Sequence, residues 1–182
     1  MEDDPIITFE AAVRCNATPA QVYEVLADPS SHLEWAGDQA PAKAFRLLTL
    51  DAPTGVASVG TTFTSIGAGS KSGAMTFHDR STVTEAKPHN AFGFETDSRL
   101  VRKHRPTWEA RFVHRYTVTP DGSATRVHYT CAVYPQNYRP YWLHPLMRPL
   151  SRRMVGRAIR RNMEVMARVT EEEALAAEDV RP

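Results

Sequence analysis

Two residues in this 182-residue chain put titratable chemistry on apolar strand faces: Asp79 and His114. Around Asp79, Met75, Phe77 and Val83 share odd parity, so Asp79 and Ser81 fall on the same face. Further on, Trp108, Ala110, Phe112, Tyr116 and Val118 share even parity, and His114 goes with them. A carboxylate on an apolar face is costly unless it is paired. His114 can serve as that partner, or as a general acid/base near neutral pH. The chemistry open to such a pair is proton transfer. His114 would move protons in an aldol-type closure or a loss of water, and Asp79 would orient it or tune its pKa. The alternative for both is structural: an internal hydrogen bond, or a β-bulge that turns Asp79 to water.

Three more polar side chains point the same way. On the last strand Val127, Tyr129, Cys131 and Val133 face inward, while Arg126, His128 and Thr130 face out. Tyr116 and Tyr129 then offer an apolar body with a hydroxyl that can orient a ligand. On the C-terminal helix Asn162 lies near the centre of an apolar stripe, where its amide needs a partner. Met75, Phe77, Trp108, Phe112, Met163 and Met166 supply a soft, adaptable wall. The candidate ligand contacts are therefore Met75, Phe77, Trp108, Phe112, Tyr116, Tyr129, Asn162 and Met166. The competing expectation is that the same residues simply fill a core.

Much is excluded. There is no Gly-rich phosphate loop after a strand, no Cys-x-x-Cys pair, no His-Glu-x-x-His and no Ser-centred nucleophile elbow. No metal and no cofactor are expected. Formal net charge is +1, from 22 basic and 21 acidic residues, which gives no argument for nucleic acid. The hydrophobic fraction of 42% and charged fraction of 24% fit one globular domain over residues 1–182. Cys15 and Cys131 have no metal spacing and read as buried, reduced thiols. The acidic start, Met1-Glu2-Asp3-Asp4-Pro5, lacks a signal-peptide core, and no apolar run is long enough to span a bilayer, so a cytoplasmic location is expected.

The elements that must position these residues follow from periodicity. Ile7 to Cys15 alternates as a first strand. Thr18 can cap a helix with Pro19 at its first position, ending near Asp28-Pro29. Ser30 or Ser31 can cap a second short helix bearing Leu33 and Trp35, which Gly37 stops. Strands are predicted at Ala44–Leu50, Thr61–Ile66, Ala74–Ala86, Ala91–Thr96, Trp108–Thr119 and Ala124–Tyr134. The basic stretch Asp97–Pro106 is expected to contain a hairpin tip. Pro120-Asp121-Gly122-Ser123 is a turn. A helix from about Pro149 to Ala177 closes the chain, with Val155, Ala158, Ile159, Met163, Met166 and Val169 on one face and Arg153, Arg157, Arg160, Arg161 and Arg168 on the other. Strands run together with helices set apart, which is α+β.

Several local patterns carry a family resemblance: Ala17-Thr18-Pro19-Ala20-Gln21-Val22-Tyr23 with Leu26-Ala27-Asp28-Pro29 and Leu33-Glu34-Trp35; Val83-Thr84-Glu85-Ala86-Lys87-Pro88; Tyr116 to Val127; and Pro145-Leu146-Met147-Arg148-Pro149 before the last helix. In these the chain resembles the START-related superfamily (SRPBCC) of polyketide cyclases/dehydrases, lipid-transfer proteins and birch-pollen-allergen-type proteins. The resemblance implies a helix-grip fold: a seven-stranded curved antiparallel sheet around the long C-terminal helix, two short helices after the first strand, and an apolar cavity between sheet and helix. It does not choose an activity.

The leading expectation is a carrier or binding protein for a hydrophobic small molecule, such as a lipid, polyketide-like or isoprenoid compound. The rival is a metal-free cyclase/dehydrase that uses His114 and Asp79. A third is an adaptor for membrane or protein. From Arg139 to Arg168 there are eight arginines and one acid, Glu164, and Tyr138 to Met147 is apolar and aromatic. That segment would serve as a lid over a cavity mouth, or as a weak peripheral membrane contact. Oligomeric state is open.

Overall fold

The computed structural model describes residues 4–40, 46–70, 72, 74–137 and 144–179. Seven strands form one antiparallel sheet in the order β1-β7-β6-β5-β4-β3-β2. They are β1 (Ile7–Cys15), β2 (Leu47–Asp51), β3 (Thr62–Ala68), β4 (Met75–Lys87), β5 (Ala91–Arg102), β6 (Trp108–Asp121) and β7 (Ala124–Pro135). Helix α1 (Pro19–Ala27) follows β1, and α2 (Arg148–Asp179) closes the chain. The fold is a helix grip, as the sequence implied.

Local chemistry explains most boundaries. α1 opens on a capping box: the Gln21 amide donates to Thr18 Oγ1 at 3.3 Å, and the Thr18 amide donates to Gln21 Oε1 at 2.9 Å. The second helical segment has a different cap from the expected one. Asp28, not Ser30 or Ser31, accepts from the Ser30 amide and opens a 3₁₀ turn, Pro29–Ser31. Ser31 instead donates to the carbonyl of Val25 at 2.7 Å. Gly37 does not stop the helix. It lies inside a π-helical turn, Glu34–Asp38, where a Cβ would come within 2.8 Å of Leu33 Cδ1 and 3.0 Å of the Leu47 carbonyl. The glycine is there because β2 passes close by.

The basic stretch after Thr96 continues β5 to Arg102 before turning, and His104 takes a positive φ of 58°. β6 and β7 join through Gly122, whose φ of 67° suits a residue without Cβ. Strand two starts later than expected, at Leu47, and residues 41–45 lie outside the described residues. β4 carries a bulge between Val83 and Glu85. Parity inverts there, so that Ala86 joins the core while Glu85 meets Arg115 outside at 2.7 Å.

α2 runs alongside β1. A Cβ on Gly156 would sit 3.8 Å from the carbonyl of Glu10, the Cys15 thiol reaches the Ala167 carbonyl at 3.5 Å, and the Asn16 amide donates to Glu171 at 2.6 Å. The C-terminal half of the helix thereby closes over the end of the sheet that holds α1. Val22, Leu26, Val118, Val127, Met163 and Met166 are fully buried there. Both cysteines are buried and free. Among the described residues no helix is long and apolar enough to cross a membrane.

Candidate functional site

The strand register arranges the concave face in rows. One row reads Ser65, Asp79, Ser98 and Ala110 across β3 to β6. The next reads Phe63, Ser81, Thr96, Phe112 and Val133, and a third reads Val83, Phe94, His114, Cys131 and Phe9. The inward parity expected for Asp79, Ser81 and His114 is the observed one.

The structure does not bring Asp79 and His114 together. Asp79 accepts a short hydrogen bond from the hydroxyl of Ser98, which is buried opposite it. Burial is the largest influence on this carboxyl and pushes it up to about 6, while Ser98 and the charge of His78 pull it back. Beside it Ser81 and Thr96 share a buried hydrogen bond of 2.8 Å, so a ladder of hydroxyls surrounds the acid.

His114 takes Tyr129 instead, with 2.7 Å between Nδ1 and the phenol oxygen. Its ring stacks on Phe94 at 4.5 Å between centroids. Burial first, and the charge of His32 second, lower the imidazole to about 3, which keeps it neutral at neutral pH. Its Nε2 makes no hydrogen bond to a described residue. Burial also raises the Tyr116 and Tyr129 phenols and lifts the Cys131 thiol to about 12, so none of these ionises near neutrality.

His32 belongs to this cluster and was no candidate from sequence. It is buried, its Nε2 bonds the Leu26 carbonyl at 2.9 Å, and its ring lies 4.8 Å from Trp35 and 6.1 Å from Phe94. Burial lowers it to about 4, against the pull of Leu26 and Asp28 in the other direction. Only the packing of a short helical turn onto a distant strand makes the contact, so strand parity could not reveal it.

The remaining candidates differ in burial. Trp108, Tyr116, Tyr129 and Met166 are buried. Met75, Phe77, Asp79, Phe112 and His114 from the sheet, with Val155, Ile159 and Asn162 from α2, keep part of their surface uncovered although they face inward. Cover is uneven around the N-terminal half of α2: Leu100, Trp108, Ala110 and Val133 are buried there, while Met75, Phe77, Phe112, Val155 and Ile159 leave a partly open patch. Among the described residues, the buried polar atoms without a hydrogen-bond partner include Asn162 Oδ1, Trp35 Nε1 and Arg46 Nε. An amide on the apolar stripe was expected to need a partner, and no described residue supplies one to that oxygen.

Depressions also mark the outside. One of about 590 Å³ crosses β2 to β6 and is bordered by Leu50, Thr64, His78, Asp79, Arg80, Asp97 and Arg99. Others lie between the β1–β7 edge and α2, and between α1 and α2. The Phe94–His114–Tyr129 cluster borders none of these three. Among the described residues no three His, Cys, Asp or Glu side chains converge to hold a metal ion. Of the segment from Tyr138 to Met147, residues 138–143 lie outside the described residues, and Leu146 is exposed.

Comparison with known proteins gives one consistent picture. The family model described as polyketide cyclase / dehydrase and lipid transport matches residues 7–171. No curated protein matches in sequence. Solved structures match in fold. An uncharacterised protein from Rhizobium leguminosarum is 12% identical with a TM-score of 0.63, covering 91% of this chain and 95% of the other. A conserved protein from Geobacillus kaustophilus is 10% identical with a TM-score of 0.63, covering 91% and 96%. Ara h 8.0201 is 10% identical with a TM-score of 0.55, covering 93% and 98%. Identities this low speak for the fold.

Proposed function

Because the chain belongs to the polyketide cyclase / dehydrase and lipid transport family, we propose that it takes up a hydrophobic small molecule at the partly open patch beside the N-terminal half of α2. The ligand class is lipid, polyketide-like or isoprenoid. One observation carries this reading: apolar side chains that face inward, Met75, Phe77 and Phe112 with Val155 and Ile159 opposite, are left partly uncovered beside a buried core. Burying that surface against an apolar ligand is favourable at about 25 cal/mol per Å².

Polar groups around this surface suit a ligand that carries oxygen. Asn162 Oδ1 can accept a hydrogen bond from a ligand hydroxyl. The free Nε2 of neutral His114 offers a second contact. An unpartnered buried polar atom costs roughly 1–3 kcal/mol, and a ligand that satisfies it regains that energy on binding.

The reading of the chain as a cyclase or dehydrase draws on one feature of the site: in the tautomer that donates from Nδ1 to Tyr129, the neutral His114 has a lone pair on Nε2 to accept a proton, although burial holds the ring at about 3 and makes it a weak base. Asp79 would then act through the ligand rather than through His114, since each holds a different partner. The binding reading asks less of the site and is preferred.

The test is native mass spectrometry of the purified protein, with solvent extraction of whatever is bound. The expected result is an apolar compound bound one to one, displaced by Ala110→Trp, which would project an indole from the buried position opposite Ser98. An empty protein that also fails to take up an apolar fluorescent probe would overturn the proposal. If a compound is found, His114→Gln separates the two readings. A carrier keeps its function with this change, whereas an enzyme keeps binding and loses turnover.

A further inference from the structure

The outer face of α2 and the turn before it carry a feature that ligand uptake does not explain. Leu146, Leu150 and Met154 are 84%, 49% and 61% exposed. Leu150 and Met154 stand one turn apart, and Arg153, Arg157 and Arg161 fall within the same arc of about 100°. All three arginines are exposed and none has an acidic partner among the described residues. Further along, Arg160 and Arg168 are answered by Glu164 and Glu172, at 3.0 and 3.9 Å. The helix thus changes character. Its C-terminal half is neutralised by i,i+4 pairs. Its N-terminal half has no acid before Glu164 and leaves large apolar side chains in water.

The geometry points to this half of α2 as a docking face for an anionic lipid bilayer. Three unanswered guanidinium groups match phosphate headgroups in charge and hydrogen-bonding shape. Leu146, Leu150 and Met154 match the acyl boundary just below them. A nucleic acid would use the arginines and leave the apolar side chains in water. The opposite side of the same helical turns carries Val155, Ile159 and Asn162, which border the partly open patch. A bilayer on the outer face would therefore lie next to that patch. The assignment stands on exposed residues alone and does not depend on the ligand proposal.

The experiment is co-sedimentation of the full chain with vesicles of phosphatidylglycerol and phosphatidylcholine in equal parts, and with pure phosphatidylcholine vesicles, at low and high salt. Binding to the anionic vesicles is expected, weakening with salt. Arg157→Glu with Arg161→Glu should weaken it by about tenfold or more. The same reversal on the sheet side, Arg80→Glu with Lys103→Glu, should change it by less than about twofold, since charge attraction acts only near the surface. Leu150→Ser with Met154→Ser should weaken it several-fold while circular dichroism stays unchanged. Three results would each overturn the assignment: no binding to anionic vesicles at low salt, equal loss from the sheet-side reversal, or full binding by the serine pair. The last would leave only unspecific charge attraction.

Discussion

His114 and Tyr129 bond diagonally across β6 and β7. Their side chains meet at 2.7 Å, although the register sets His114 opposite Cys131 and Tyr129 opposite Tyr116. The bond occupies one ring nitrogen and leaves the other without a hydrogen bond to a described residue. It also holds a neutral imidazole in a place where a charged one would be expensive, and this has consequences for stability.

Stability should fall as the pH drops below 6.5. In the folded chain His114 is held at about 3 and His32 at about 4, against 6.5 when unfolded. Below 6.5 the unfolded chain binds more protons, so these contributions are complete above 6.5 and are lost as the pH falls toward the folded values. From pH 7 to 5 the loss is about 2 kcal/mol per histidine. Asp79 acts with opposite sign. It is held at about 6 against 3.8 unfolded, so its contribution is complete below 3.8 and is lost as the pH rises through 6. It offsets about 1 kcal/mol over the same interval. Urea denaturation at both pH values should show the net loss, and His114→Phe should show a smaller one.

Asp79→Asn should stabilise the empty protein at pH 7.5 by roughly 1–3 kcal/mol. The amide oxygen can still accept from Ser98, and the desolvated charge is gone. The gain should fade below about pH 4, where the wild-type carboxyl is protonated in both states. Equal stability at all pH values would mean that the carboxylate is not desolvated.

Asn162→Leu should raise the stability of the ligand-free protein by about 1 kcal/mol, because it removes a buried acceptor that has no partner among the described residues. The same change should reduce the amount of oxygen-bearing compound that co-purifies. Thermal melts and extraction on one preparation report both effects. A lower melting temperature would show that the amide has a partner in the empty protein.

Thr18→Ala should cost about 1 kcal/mol, since it removes the hydroxyl that caps α1 and breaks the capping box with Gln21. Thermal denaturation measures it. Ligand uptake should be unchanged below the melting transition.

Periodicity read the strands well where one face is buried. Alternation in β1, β6 and β7 gave both their extents and their inward residues, because a one-residue slip would turn every apolar side chain to water. It read less well where tertiary contact sets the local structure. Arg99 faces out from β5, which continues beyond Thr96 because β4 and β6 pair with it on both sides. Gly37 looked like a helix stop, yet it answers to Leu33 and Leu47. The inversion at Val83/Glu85 left no mark in the residue types that alternation could use.

The sequence by itself determined most strand and helix extents, the inward parity of Asp79 and His114, and an amide on the apolar stripe of α2. These follow from periods of two and 3.6 residues, which are local properties of the backbone. Partnership was decided only by the tertiary structure. It gave Asp79 to Ser98 and His114 to Tyr129, brought His32 and Trp35 into the same interior, and left Asn162 Oδ1 without a partner among the described residues. Such pairings depend on register, curvature and the path of α2 along β1, which join residues far apart in the chain. They also decide which inward side chains are covered and which keep part of their surface open.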